Sequence, residues 1–136
     1  MTAPQKDEAV IERGRAALLE LRDACRSLVY ATFLTDDGFE VVSLPGGSRN
    51  DGRLASMASS IQALADAVAG ELQIGSSEFV IIASDSGHVI QRRVPGETIV
   101  LAALFDDDET LGKALSISRL TTEKMSALSE PIASQQ

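Results

Sequence analysis

Positions Ile11, Gly14, Leu18, Leu21, Cys25 and Leu28 are separated alternately by three and four residues. That spacing predicts an amphipathic helix over 7–27. Its other face carries Glu12, Arg13, Arg15, Glu20, Arg22, Asp23 and Arg26, as a solvated face should. The period then changes. "LVYATFLT" (28–35) is β-branched and aromatic, "TDDGFE" holds an Asp-Gly turn, and "FEVVSL" (39–44) reads as the returning strand. "PGGSRNDG" (45–52) is a loop by composition, with Asn50 or Asp51 placed to cap the next helix. That helix, over 54–72, ends at "IGSS". Three strands come next: "EFVIIAS" (78–84), "HVIQRRV" (88–94) and "TIVLAALF" (98–105), joined by "DSG" and "PGE". "DDDE" (106–109) opens a last helix over 108–128, with Leu111, Ala114, Ile117, Ser118, Met125 and Leu128 as its stripe. The order is α-β-β-α-β-β-β-α. Residues 7–128 read as one domain between flexible tails at 1–6 and 129–136.

The middle helix, "LASMASSIQALADAVAG", carries one charge, Asp66, where a surface helix should carry several. Leu54, Met57, Ile61, Leu64 and Val68 form a stripe of large apolar residues, expected to lie on the sheet. Ala55, Ala58, Gln62, Ala65 and Ala69 form a small stripe offset by one residue, expected to admit the same helix of a second copy. The strand "EFVIIAS" is apolar on both faces, with Phe79, Ile81 and Ala83 on one and Val80 and Ile82 on the other. It carries no Lys or Pro to protect an edge. The expected homodimer interface is therefore Ala55, Ala58, Gln62, Ala65, Ala69, Phe79 and Ile81.

Charge narrows the partners. Twelve Lys and Arg stand against 20 Asp and Glu, a net charge of −8. This argues against nucleic acid, which needs a basic face, and against docking on anionic lipid. The longest apolar run, "IVLAALF", is too short to span a bilayer, so no membrane insertion is expected. One cysteine excludes an internal disulfide and fits a reducing cytosol, and "MTAPQKDEAV" has no signal-peptide pattern; a cytoplasmic location is expected.

The elements and the segments "ATFLTDDGFEVVS", "LASMASSIQALADAVAGEL", "EFVIIASDSGHVIQRRV" and "TIVLAALFDDDETLGKAL" resemble the Roadblock / dynein light chain superfamily in its bacterial MglB-like branch, over roughly 10–128. The resemblance implies a profilin-like α/β sandwich: a five-stranded antiparallel sheet, the middle helix on one face and the terminal helices on the other. It implies homodimers joined through the middle helix and third strand, with no catalytic centre. Family members bind and regulate small Ras-like GTPases or serve as scaffold subunits. By the family's pattern, Ser59, Gln62 and Asp66 are expected at the partner surface.

Other residues read as structural. His88, the single histidine, is expected to be an exposed turn residue, since no second His or nearby Cys completes a metal site. Cys25 reads as a buried, inert thiol. "DDDE" reads as a helix cap, because a calcium loop needs spaced oxygen ligands. "PGGSRNDG" lacks the Gly-Lys-Ser/Thr ending of a phosphate loop. Arg92 and Arg93 alternate across a strand, so they face opposite ways. No catalytic residue, metal or cofactor is expected. Two functions are compatible with these readings: a homodimer that binds and regulates a small Ras-like GTPase, or a scaffold or sensory module that binds a sensor kinase or small ligand.

Overall fold

The computed structural model describes residues 2–45 and 53–129. The expected loop beyond Pro45, its cap candidates Asn50 and Asp51, and the tail from 130 lie outside the described residues. The elements are α1 (Glu8–Ala24), β1 (Leu28–Thr35), β2 (Glu40–Leu44), α2 (Arg53–Glu71), β3 (Val80–Ser84), β4 (Gly87–Arg93), β5 (Ile99–Asp106) and α3 (Leu111–Ser129). The expected order of elements is the observed one.

Local chemistry sets the boundaries. The Asp7 carboxylate accepts from the Ala9 and Val10 amides, at 3.0 and 3.4 Å, and so caps α1. Pro4–Lys6, expected to be loose, forms a 3-10 turn beside β2. The β1–β2 turn closes with the Thr35 amide on the Phe39 carbonyl at 2.8 Å, and Gly38 takes a φ of +93° that L side chains rarely adopt. Pro95 and Gly96, the latter at φ +77°, turn β4 into β5. The last helix starts at Leu111 rather than 108. The Asp106 carboxylate accepts from the Asp108 amide at 2.9 Å, so the acids build a turn. The true cap is Thr110, whose hydroxyl accepts from the Lys113 amide at 3.3 Å.

The five strands form one antiparallel sheet in the order β2-β1-β5-β4-β3. Residues paired across strands share a face. Ala31, Phe33, Ile90, Leu101 and Phe105 pack on one face against Leu18 and Leu21 of α1 and Ala114 and Met125 of α3. Among the described residues the opposite face is covered by α2, where Leu34, Val100 and Ala102 meet Ala55 and Ala58.

Cys25 caps the C-terminal end of α1 and is fully buried. Its thiol donates to the Glu109 Oε2 at 2.6 Å, tying α1 to the turn before α3. Burial, then this bond to a carboxylate, pushes the thiol up to about 11 from an ordinary 9.0. The same bond, with help from Lys113 and against the cost of burial, holds the Glu109 carboxyl below its usual range. A raised thiol pKa means that the native state holds this proton more tightly than the unfolded chain does. Its contribution is complete below about pH 9 and is lost as pH rises to about 11. The Glu109 contribution has the opposite sign and is lost as pH falls through the carboxylate range.

Two outcomes are expected. Urea unfolding from pH 8 to 11 shows stability falling on the alkaline side, with a shallower fall in Cys25→Val. Gly87→Ala lowers stability by about 1–3 kcal/mol by the same measurement, because a Cβ at Gly87 would stand 2.6 Å from the Phe105 carbonyl oxygen.

Candidate functional site

The middle helix is turned the other way from the sequence expectation. Ala55, Ala58, Gln62 and Ala69 are buried against the sheet, with Ala58 only 1% exposed. Ala65 sits half-buried at their side. Of the large stripe, Leu54 and Ile61 are half-buried, while Met57, Leu64 and Val68 are exposed, Leu64 at 66%; Leu72, just past the helix, is exposed too. One residue is about 100° of helix, so the large stripe looks sideways from the small one. Small residues let α2 sit close on a sheet face whose space is already filled by Leu34 and Val100. Ala55, Ala58, Gln62 and Ala69 thus belong to the protomer's own core rather than to a surface for a second copy.

A buried polar chain fixes this seat. Gln91 on β4 and Gln62 on α2 are 2% and 3% exposed. The Gln91 Nε2 donates to the Ala58 carbonyl at 2.9 Å and to the Gln62 Oε1 at 3.0 Å. The Gln62 Nε2 donates to the Asp66 Oδ1 at 3.1 Å. The Asp66 Oδ2 accepts from Arg93 at 2.7 Å, and Arg93 also pairs with Asp36 in the β1–β2 turn. A buried amide left without partners costs about 1–3 kcal/mol, so the two glutamines hold each other in place.

The three expected partner-contact residues therefore separate. Gln62 lies beneath the helix and reaches no partner. The Ser59 hydroxyl donates to the Ser56 carbonyl at 2.9 Å, and Ser59 packs beside Gly38 of the β1–β2 turn. Asp66 remains at the surface, engaged by Arg93. The sequence carried one usable signal for this chain: two glutamines within otherwise small or apolar stripes, which need each other once buried.

β3 lies at the edge of the sheet, with Ile81 and Ile82 each about two-fifths exposed. Its faces are not both covered within the protomer. Phe79, expected at the dimer surface, is half-buried against the main core, with Arg92 and Arg119 at 5.4 and 5.0 Å from its ring. An open groove of about 920 Å³ runs along β3, with Val68 and Ile74 on one side and Leu115 and Arg119 on the other. Val68 brings the large stripe of α2 to this groove, so the stripe adjoins the edge strand β3. Patches of this kind mark interaction sites.

Arg92 and Arg93 do face opposite layers. Arg92 donates to the Thr122 hydroxyl on the α3 side, and Arg93 reaches Asp66 of α2. His88 is not an exposed turn residue. It sits within β4, half-buried, with its Nδ1 buried and without a hydrogen-bond partner. Among the described residues, no group of three His, Cys, Asp or Glu gathers to hold a metal. No helix among them is long and apolar enough to cross a membrane.

Neither a family sequence profile nor a curated protein matches the chain. Its likeness lies in solved structures. MglB of Myxococcus xanthus superposes with a TM-score of 0.80 at 14% identity, covering 97% of this chain and 99% of that one. The gliding protein MglB of Thermus thermophilus gives 0.75 at 20% identity, over 94% and 92% of the two chains. A Roadblock/LC7 domain from Streptomyces avermitilis gives 0.70 at 16%, over 77% and 88%. The chain has the Roadblock/LC7 fold, a profilin-like sandwich of a five-stranded antiparallel sheet between helices. Within that fold its form is MglB-like.

The inward seat of Ala58 has a mutational consequence. Ala58→Arg drives an unpaired cation against Gln91 and the sheet, and a substitution of that kind costs several kcal/mol. Ala67→Arg, on the exposed face of α2, changes stability by less than about 0.5 kcal/mol. Urea melts of the two variants check the orientation of the helix.

Proposed function

We propose that this protein is a non-enzymatic, cytoplasmic interaction module that forms a homodimer and binds and regulates a small Ras-like GTPase. The observation that carries the reading is the apolar surface made by Met57, Leu64, Val68 and Leu72 beside the free edge of β3. A second copy offers the same surface, and two-fold pairing covers both at once. An edge strand without Lys or Pro has backbone groups ready for a partner strand. Support also comes from the fold, since one solved MglB has a tetrameric arrangement.

The dimer residues differ from those read in the sequence. Ile81 stays in the set as part of the β3 edge. The buried Ala55, Ala58, Gln62 and Ala69 leave it, Ala65 stays at the groove beside Val68, and the large stripe enters. The GTPase is the partner that the Roadblock resemblance implies. Its contact is placed on the outer face of the paired α2 helices, at Ser60, Ala63 and Ala67, all exposed, with Asp66 at the margin.

Sedimentation at micromolar concentration is expected to show a dimer. Leu64→Asp weakens it at least about 100-fold, because burying an unpaired charge in an interface costs several kcal/mol. The protomer itself stays folded, since Leu64 is exposed within it. Titration of the dimer into small GTPases of the same genome, in both nucleotide states, is expected to give direct binding that the Leu64→Asp variant loses. Binding to none of them, with capture of a sensor kinase or small ligand instead, favours the scaffold or sensory reading.

A further inference from the structure

We infer that the Gln91–Gln62 pair is a rotational pin: it selects the face that α2 turns to the sheet, and so keeps the large apolar stripe outward for a partner. In a single protomer, water exclusion favours the opposite arrangement. Rolling α2 by about 100° would bury Met57, Leu64 and Val68 and expose alanines. The apolar contacts of the small stripe do not by themselves forbid that roll, since Ala55 and Ala58 lose little area. The buried amides do. Gln91 projects from the middle of β4 into the layer under α2, and both its Nε2 bonds, to the Ala58 carbonyl and the Gln62 Oε1, exist in one rotation only. A third bond, from Gln62 to Asp66, continues to Arg93 and Asp36 at the surface. Buried polar groups that fix register at some cost in stability are an attested device. Here the register is the azimuth of one helix.

The consequence for dimer affinity rests on the homodimer proposed above; the pin itself does not. The test therefore has two arms. In a monomeric Ile81→Lys background, which charges the β3 edge on the sheet face away from α2, a Leu64→Cys thiol reports the azimuth. The native Cys25 is fully buried, and the same chain without Leu64→Cys serves as its control. The parent is expected to react with a maleimide within tenfold of the unfolded rate. The Gln62→Leu/Gln91→Leu variant, in the same background, is expected to react at least tenfold more slowly, with a urea midpoint no lower than the parent's. Without Ile81→Lys and Leu64→Cys, the double variant is expected to raise the dimer dissociation constant at least tenfold. Labelling at the parent rate with unchanged dimer affinity overturns the pin. If the unsubstituted chain is monomeric at every concentration, the homodimer reading fails, and the labelling arm alone decides the pin. If the double variant does not fold, Gln91→Met, which leaves Gln62 bonded to Asp66, is put through the same labelling with the same two outcomes.

Discussion

The buried amide of Gln91 is the constraint on which the rest of the α2 layer depends. A primary amide placed under a helix, 2% exposed, must find its hydrogen bonds in the protein. It finds them on Ala58 and Gln62, which requires α2 to lie close to β4 and at one rotation. Close approach requires small residues, and the alanines supply them. The large residues one position along are then turned aside, where nothing among the described residues covers them. A polar requirement under the helix thus creates an apolar surface beside it.

The two faces of the sheet answer to different demands. The face under α1 and α3 is filled by large residues, with Phe33, Phe105, Leu18, Leu21 and Met125 fully buried. That layer carries most of the apolar burial that stabilises the protomer. The α2 face contributes a smaller cluster, Leu34, Val100 and Ala102 against two alanines. It holds more of its stability in hydrogen bonds and leaves more apolar area in water. The division leaves one layer filled within the protomer and one with large apolar residues still exposed.

That division also bears on how such a module works. What the α2 layer offers is shape and exposed apolar area. In the homodimer proposed above, a surface made of α2 from two copies exists only while they are paired, so a partner that reads it reads the assembly state as well. The Asp66–Arg93–Asp36 contacts connect that layer to the β1–β2 turn across exposed positions. Such exposed ion pairs contribute about 0–1 kcal/mol each, so they orient more than they stabilise.

By itself, the sequence determined the element order, the positions of the hairpin turns and the identity of the two helical stripes. These depend on local periodicity and on turn chemistry, which neighbouring residues decide. It also placed Arg92 and Arg93 on opposite faces, because strand alternation is local. It did not determine which stripe of α2 faces the sheet. Periodicity locates an apolar face but says nothing of what lies opposite it, and the larger stripe was the natural expectation for a core. The choice was made by residues far along the chain: Gln91, 29 positions from Gln62, and the bulk of Leu34 and Val100 beneath the helix. Phe79 and Thr110 obey the same rule. An arginine from α3 holds the first at the core, and the strand end at Asp106 sets where the second can cap. Such contacts join segments that only the tertiary structure brings together, so their outcome could not be read from spacing along one element.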